Sequence, residues 1–495
     1  MTCQIIPFPQ ELRPKLPTIV GNVDYLTLRQ RLEQIDALLR DGGVEEDFVR
    51  RSLEVWNLEG KRSVTAKEQI KHQRRSRRAL RCNVLRTLVQ GGYRQFSCQL
   101  AGNPLYQWFC QVDAMDVVRV PSKSELHRFA NWLPADQMRE IMDRLLRGAI
   151  QEPKKLQLKE ALDLEEFFLD STCLKANIHF PTDWVLLRDG VRTLMKATIL
   201  IRKAGLCARM EDPEEFLRRM NRLSIEMSQQ KRRVDSKKGR KRVLRRMKKL
   251  VSVVRDHAKR HRDLLDERWA ETQWTRPQAE QILRRLDSVL ELLPEAQRQA
   301  HERIIGERQV PNAEKIISLY DLDVHVIVRG KAGAEVEFGN TVLVGENSQG
   351  VILDYDMFKD SAPADSQLLF DSLLRVWGMA DRKVGAVATD RGFASAANSE
   401  GLADSETLDA TCPRKPEDLK QKMENPKFAQ LQRRRAQTEG RISILKNGFL
   451  GRPLRAKGFP NRELALAWGV LTHNLWMLAK LRKVKKKAAR LPKAA

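Results

Sequence analysis

Val384-Gly385-Ala386-Val387-Ala388-Thr389-Asp390-Arg391-Gly392-Phe393 is a short apolar run that stops on a carboxylate and leaves through a glycine. An unbroken series of small and β-branched apolar residues describes a buried strand. A glycine just past its end permits a sharp exit. A second run of this design, Phe167-Phe168-Leu169, stops on Asp170 and continues as Ser171-Thr172. A third acid, Glu439, lies in a stretch with helical periodicity between Gln432 and Lys446. Each acid alone has a plain reading: Asp170 as a turn or cap residue, Asp390 as part of an Asp-x-Gly turn, Glu439 as the i,i+4 partner of Arg435. Their order and placement agree on something more specific. Carboxylates at the ends of two buried strands and on one adjoining helix can converge on a pair of hard cations, and Mg²⁺ prefers such oxygen ligands.

Helix geometry extends the third element. At about 100° per residue, Arg435 and Lys446 both fall within about 40° of Glu439 on one continuous helix. One face would then carry a carboxylate flanked by two cations suited to phosphate. The spacing Arg-x3-Glu-x6-Lys, with the two strand-end aspartates, resembles the DDE transposases of bacterial insertion sequences. In the branch it resembles, the third acidic motif reads Tyr-x2-Arg-x3-Glu-x6-Lys. Gln432 stands here at the tyrosine position, a departure that bears on a DNA contact and leaves the metal ligands intact.

The resemblance implies an α+β or α/β fold with a ribonuclease H-like mixed-sheet catalytic core. It implies two Mg²⁺ ions, with Mn²⁺ able to substitute, held by Asp170, Asp390 and Glu439. Arg435, Lys446 and Arg391 would contact DNA beside the scissile bond. The activity implied is that of a metal-dependent polynucleotidyl transferase and endonuclease in DNA recombination. Its partners would be double-stranded DNA, both the terminal inverted repeats and the target, with a homodimer or higher assembly on that DNA. Its place would be the bacterial cytoplasm, associated with the nucleoid.

Composition points the same way. The 495 residues suffice for several domains, and a formal charge of +26 favours a polyanionic partner. Residues 231–260 hold fifteen Lys or Arg against Asp235 and Asp256, half of the net charge. So many like charges repel one another unless a polyanion neutralises them, and phosphate neutralisation gives affinity without sequence readout. Lys237, Lys238, Arg240, Lys241, Arg242, Arg245 and Arg246 are the expected DNA contacts in this run. Lesser basic clusters span Lys61–Arg86 and Lys480–Lys493. The seven cysteines are scattered without a Cys-x2-Cys pair, which argues against a zinc ribbon or a disulfide framework and fits a reducing compartment. No apolar stretch suits a membrane span, the first residues lack the pattern of a signal peptide, and no Walker-type loop implies ATP.

The pattern along the chain divides it into five parts. Residues 1–160 read as helical, with short helices and tight turns beside Arg74–Arg81 that suit a helix-turn-helix-like DNA-binding region or an ordinary bundle with a basic surface. Ser124 is a candidate N-cap there. Residues 161–182 open the catalytic core, with Asn177–Phe180 a possible continuation of the sheet. Residues 183–318 read as an all-helical basic insertion. Residues 319–480 complete the core through strands at 324–328, 336–338, 341–344 and 351–355, a helix at 364–377, the strand 384–389 and terminal helices. Residues 481–495 form a basic tail. His473-Asn474 reads as a buried structural pair. Two other readings stand beside a transposase: a catalytically inactive, transposase-derived DNA-binding protein, and another ribonuclease H-like nuclease such as a resolvase.

Overall fold

The computed structural model describes residues 15–59, 65–112, 117–230, 236–331, 334–451 and 453–483. Lys61, Arg62, the cations 231–233 and the basic tail beyond Lys483 lie outside them. The chain divides into two compact units. One takes the residues up to Leu174, Thr341–Phe358 and Ala362 onward; the other takes Lys175–Asn340 and Lys359–Ser361.

In the first unit seven helices precede the first strand: α1 (Val23–Asp41), α2 (Val44–Glu59), α3 (Ala66–Val89), α4 (Tyr93–Gly102), α5 (Pro104–Cys110), α6 (Lys123–Ala130) and α7 (Ala135–Gln151). Their starts are encoded locally. Thr65 and Glu68 form a reciprocal capping box for α3, and Asn103 caps α5 ahead of Pro104. The cap of α6 is Ser122 and not Ser124: the Ser122 hydroxyl accepts the Glu125 N–H, which places the helix start two residues earlier. Part of the basic cluster on α3 is internal. Arg81 is fully buried and pairs with both Asp36 and Glu45 at 2.6 Å. Arg77 reaches Glu45, and Arg78 donates to the Gln111 carbonyl. These arginines bind helices together.

The first strand, β1 (Glu166–Lys175), leads into the second unit: α8 (Asp183–Lys203), α9 (Pro213–Gln230), α10 (Ser236–Arg268), α11 (Arg276–Ile304) and β2 (His325–Lys331). The four helices enclose a core of their own, including Leu194, Phe216, Met247, Val254 and Leu293. Asp183 is held there by Gln299 and Arg303, both at 2.8 Å.

The chain continues through β3 (Ala334–Asn347), β4 (Ile352–Met357), α12 (Asp365–Ala380), β5 (Ala386–Ala388), α13 (Ala396–Asp404), β6 (Leu408–Asp409), α14 (Pro416–Met423), α15 (Pro426–Arg435), α16 (Thr438–Leu445) and α17 (Phe459–Leu481). The result is a mixed α/β protein. The sheet runs β2-β3-β1-β5-β6, with β4 also paired to β3. β1, β5 and β6 are parallel; β3 is antiparallel to β2 along its first half and to β4 along its second.

Alternation along β1 sorts its side chains onto two faces. Phe167 and Leu169 join the large core shared with the N-terminal helices, α12 and α17. Phe168 faces the other way and packs with Ala386, Ala388, Phe428 and Leu431, under α15. On the first face, Asn474 of α17 accepts from the Ile352 N–H at 2.9 Å and donates to the Ile352 carbonyl at 2.7 Å. With His473 beside it, this is the buried pair expected from the sequence.

Several expected boundaries move. β1 does not stop at Asp170 but continues to Lys175, because Thr172 and Leu174 keep the alternation and the sheet supplies the backbone partners. Asn177–Phe180 lies outside any strand. The segments 336–338 and 341–344 form one strand, β3. Between Asp390 and the acidic helix the chain inserts α13, β6 and α14. The stretch Gln432–Lys446 is not one helix: it breaks at Ala436–Gln437, and a π-helical segment begins at Lys446.

Candidate active site

The pairing of β1 with β5 brings the two aspartates together. Glu166, Phe167 and Phe168 lie opposite Ala386, Val387 and Ala388. Counted two residues beyond the last pair of that register, Asp170 of β1 corresponds to Asp390, which lies just past the end of β5. β5 ends at Ala388 while β1 runs on, so Asp170 sits where β1 loses that neighbour. Asp170 shares its parity with Phe168 and therefore points to the face covered by α15.

Both carboxylates are held alike. Asp170 accepts the Ser171 N–H on Oδ1, and Asp390 accepts the Gly392 N–H on its own Oδ1, each at 2.9 Å. Space is tight at the glycine as well, since a Cβ there would lie 2.9 Å from Asp365 Oδ2 and 3.0 Å from Asp390 Oδ1, and these carboxylates would have to shift. The second oxygens, Oδ2, face one guanidinium. Arg435 Nη2 lies 3.4 Å from Asp170 and 3.7 Å from Asp390. Arg435 Nε is buried and has no hydrogen-bond acceptor among the described residues. On the next outward position of the same β1 face, Thr172 Oγ1 accepts from Lys446 Nζ.

Asp170 is buried, whereas Asp390 is half-exposed and Glu439 is exposed. Burial pushes the Asp170 carboxyl up to about 6; Arg435 draws it down, and the charges of Asp390 and Glu439 push it up. Glu439 is thus within electrostatic reach of Asp170, in the first turn of α16. Among the described residues, no three His, Cys, Asp or Glu side chains form a ready-made metal cage. The donor chemistry still suits a hard cation. The two carboxylates share one positive group, the Arg435 guanidinium.

The break after α15 corrects the single-helix geometry that put Arg435, Glu439 and Lys446 on one face. Its cause lies on β3. Glu346, only 3% exposed, takes Arg434 at 3.2 Å from the end of α15 and Thr438 at 3.5 Å from the start of α16, with Arg441 at 3.7 Å. Arg434 also lies over the Phe168 ring, 4.4 Å from its centre. One buried acid thus gathers both sides of the break. Gln432 fixes α15 from the other side, donating to the Thr389 carbonyl at 3.2 Å and to that of Ala410. It replaces the expected tyrosine with an amide that reads strand-end carbonyls next to Asp390.

Sequence reasoning missed Glu346, Thr172 and Arg434. The available signals were a lone acid closing the apolar run Val342-Leu-Val-Gly-Glu346 and the two-residue spacing from Asp170 to Thr172.

The other expected DNA contacts are less alike than their sequence suggests. Arg391 is exposed beside Asp390. On α10, Lys237 and Lys241 both pair with Glu307, at 3.2 and 2.7 Å. Arg240 donates to the Ser236 carbonyl, and Arg242 and Arg246 reach Glu226. Lys238 and Arg245 are exposed.

The chain matches no protein-family model, no curated protein and no solved structure.

Proposed function

We propose that this chain is a DNA transposase of the DDE type, built on a ribonuclease H-like core, that cuts the ends of its element and joins them to target DNA. The observation that supports the reading best is the β1–β5 register. It brings Asp170 on β1 toward Asp390 just past the end of β5, with Arg435 within ion-pair distance of both and Lys446 one outward position along.

In this reading water attacks phosphorus at the element's end, the P–O3′ bond breaks, and a 3′-OH is freed. That 3′ oxygen then attacks a target phosphodiester, forming a new P–O bond and releasing the target's own 3′-OH. Asp170, Asp390 and Glu439 would hold Mg²⁺, which when bound supplies activation of the attacking oxygen and neutralisation of the leaving one. Arg435 turns from the aspartates toward a phosphate oxygen, to which its Nε–H, buried and without an acceptor among the described residues, would donate. Lys446, fixed on Thr172, places a second cation beside the same phosphate. Exposed Arg391 extends the grip along the strand. Gln432 keeps α15, and with it Arg435, in register with Asp390.

The test is strand cleavage of a DNA bearing the element's ends, with Mg²⁺, by the wild-type chain and by Asp170→Ala, Asp390→Ala and Glu439→Ala. Each variant should lose cleavage by at least about a thousandfold while keeping DNA affinity within a few-fold, because metal ligation and phosphate binding use different residues. Retained cleavage in one variant removes that residue from the site. A wild-type chain that binds DNA and never cuts it supports the non-catalytic reading, which the exposed position of Glu439 favours.

A further inference from the structure

The geometry points to a DNA-backbone groove between α9 and α10 as the place where the helical unit holds duplex DNA. The inference rests on the transposase reading for its ligand and adds a site to it. Within the second unit, a groove of about 440 Å³ is lined by Arg219, Arg222 and Leu223 of α9 and by Arg246, Lys249, Leu250 and Val253 of α10. Four cations rim it, and no carboxylate lines it. On each helix the two cations are three residues apart, so they stand on successive turns of the same face. All four are exposed.

The arginines are tethered from outside the groove: Arg219 to Glu211 at 3.2 Å, Arg222 to Glu215 at 2.8 Å and Arg246 to Glu226 at 2.8 Å. Exposed pairs of this kind hold a side chain only weakly, so a guanidinium redirects to a phosphate at little cost. Charged-group placement favours a linear anion over a compact one. Lys238, Arg242, Arg245 and Lys249 follow one another at spacings of four, three and four, and Lys259 lies further along α10; all five are exposed. The first four make one cationic stripe about 16 Å long. A repeating phosphodiester backbone matches such a stripe. The apolar floor of Leu223, Leu250 and half-exposed Val253 meets the C–H surface of the sugars. By contrast Lys237 and Lys241, nearer the start of α10, line no part of this groove and share one acid, Glu307.

The experiment measures affinity of the full chain for a 20-base-pair duplex of unrelated sequence across a salt series. The variant carrying Arg219→Gln, Arg222→Gln, Arg246→Gln and Lys249→Gln should lower the slope of log affinity against log salt by about 0.9 per contact, roughly 3.6 in all. The control Lys237→Gln/Lys241→Gln should leave the slope within about 0.5 of wild type. If circular dichroism finds the fourfold variant unfolded, Arg222→Gln/Lys249→Gln at two exposed positions takes its place, with an expected fall of about 1.8. An unchanged slope in the groove variant, or an equal fall in the control, overturns the inference. So does a wild-type chain that does not bind duplex DNA. Cleavage by the wild-type chain is scored separately. A slope that falls without any cleavage keeps the groove and sinks the transposase, whereas cleavage with an unchanged slope sinks the groove alone.

Discussion

Glu346 governs the geometry of the site without touching the aspartates. Its carboxylate draws Arg434 and Thr438 to one point, so α15 ends where Arg435 reaches β1 and α16 begins with Glu439 in its first turn. Burial raises the Glu346 carboxyl, and Arg441 and Arg434 hold it down. Removing the charge leaves those guanidinium groups facing a neutral amide. We expect Glu346→Gln to lose about 3 kcal/mol of stability in chemical denaturation, the lower end for a broken buried pair because both arginines keep some solvent. Adding Arg434→Gln should cost less than the two single changes summed, by at least about 0.5 kcal/mol. Strict additivity would show that the pair is not coupled. Gly345, next to it, has its own constraint. A Cβ there would lie 2.2 Å from Phe167 Cζ, so Gly345→Ala must displace that buried ring and should lower the melting temperature by several degrees.

Among the elements, β1 and β5 were legible in sequence as short apolar runs, and the acids after them stood out from ordinary turn residues only by their order and by the Arg-Glu-Lys spacing that follows. The extent of β1 was not, since Ser171-Thr172 looks like a turn until a sheet supplies partners for its backbone. The helix break was hidden for a related reason. No proline interrupts Gln432–Lys446, and the residue at the cap of α16, Gln437, makes no side-chain cap; an acid some ninety residues earlier gathers both sides of the break, which periodicity cannot register. Arg435 and Lys446 nevertheless reach the β1 face, because the strand and not the helix fixes where they meet. Helix α7 offers a test of a buried charge away from the site. Burial pushes the Asp143 carboxyl up to about 6, Arg139 and Arg147 draw it down, and Asp354 and Glu140 push it up. An acid raised in the folded state binds its proton more tightly there than when unfolded, so stability falls as pH rises from about 4 through 6. Asp143→Asn should therefore be more stable than wild type by about 2 kcal/mol above pH 7, with the difference gone below pH 4. Parallel denaturation curves at both pH values check it, and a constant difference would remove the titration from the account.

At the scale of the molecule, the two units carry separate cores. Residues 183–320 should therefore fold alone as a helical body, with a cooperative thermal transition followed by circular dichroism; a featureless melt would mean that the core needs the rest of the chain. The sequence already divided at this segment, because helical periodicity there replaces strand alternation on both sides. The basic stretch within it was legible as a whole and not residue by residue: ion pairing to Glu307 and Glu226 depends on which acids the fold brings near.

The placement of that helical body between β1 and its sheet neighbours also dictates an order of events on the ribosome. β1 is made early, but its partners on either side, β3 and β5, begin only at Ala334 and Ala386. At about 5–20 residues per second, the strand carrying Phe167-Phe168-Leu169 waits roughly ten to thirty seconds for its first neighbour. During that interval the helices between them have time to fold, while β1 still exposes apolar side chains and unpaired backbone. The nascent chain is then most open to chaperone capture or to pairing with another copy, and a polypeptide truncated before β3 would keep that sticky strand permanently.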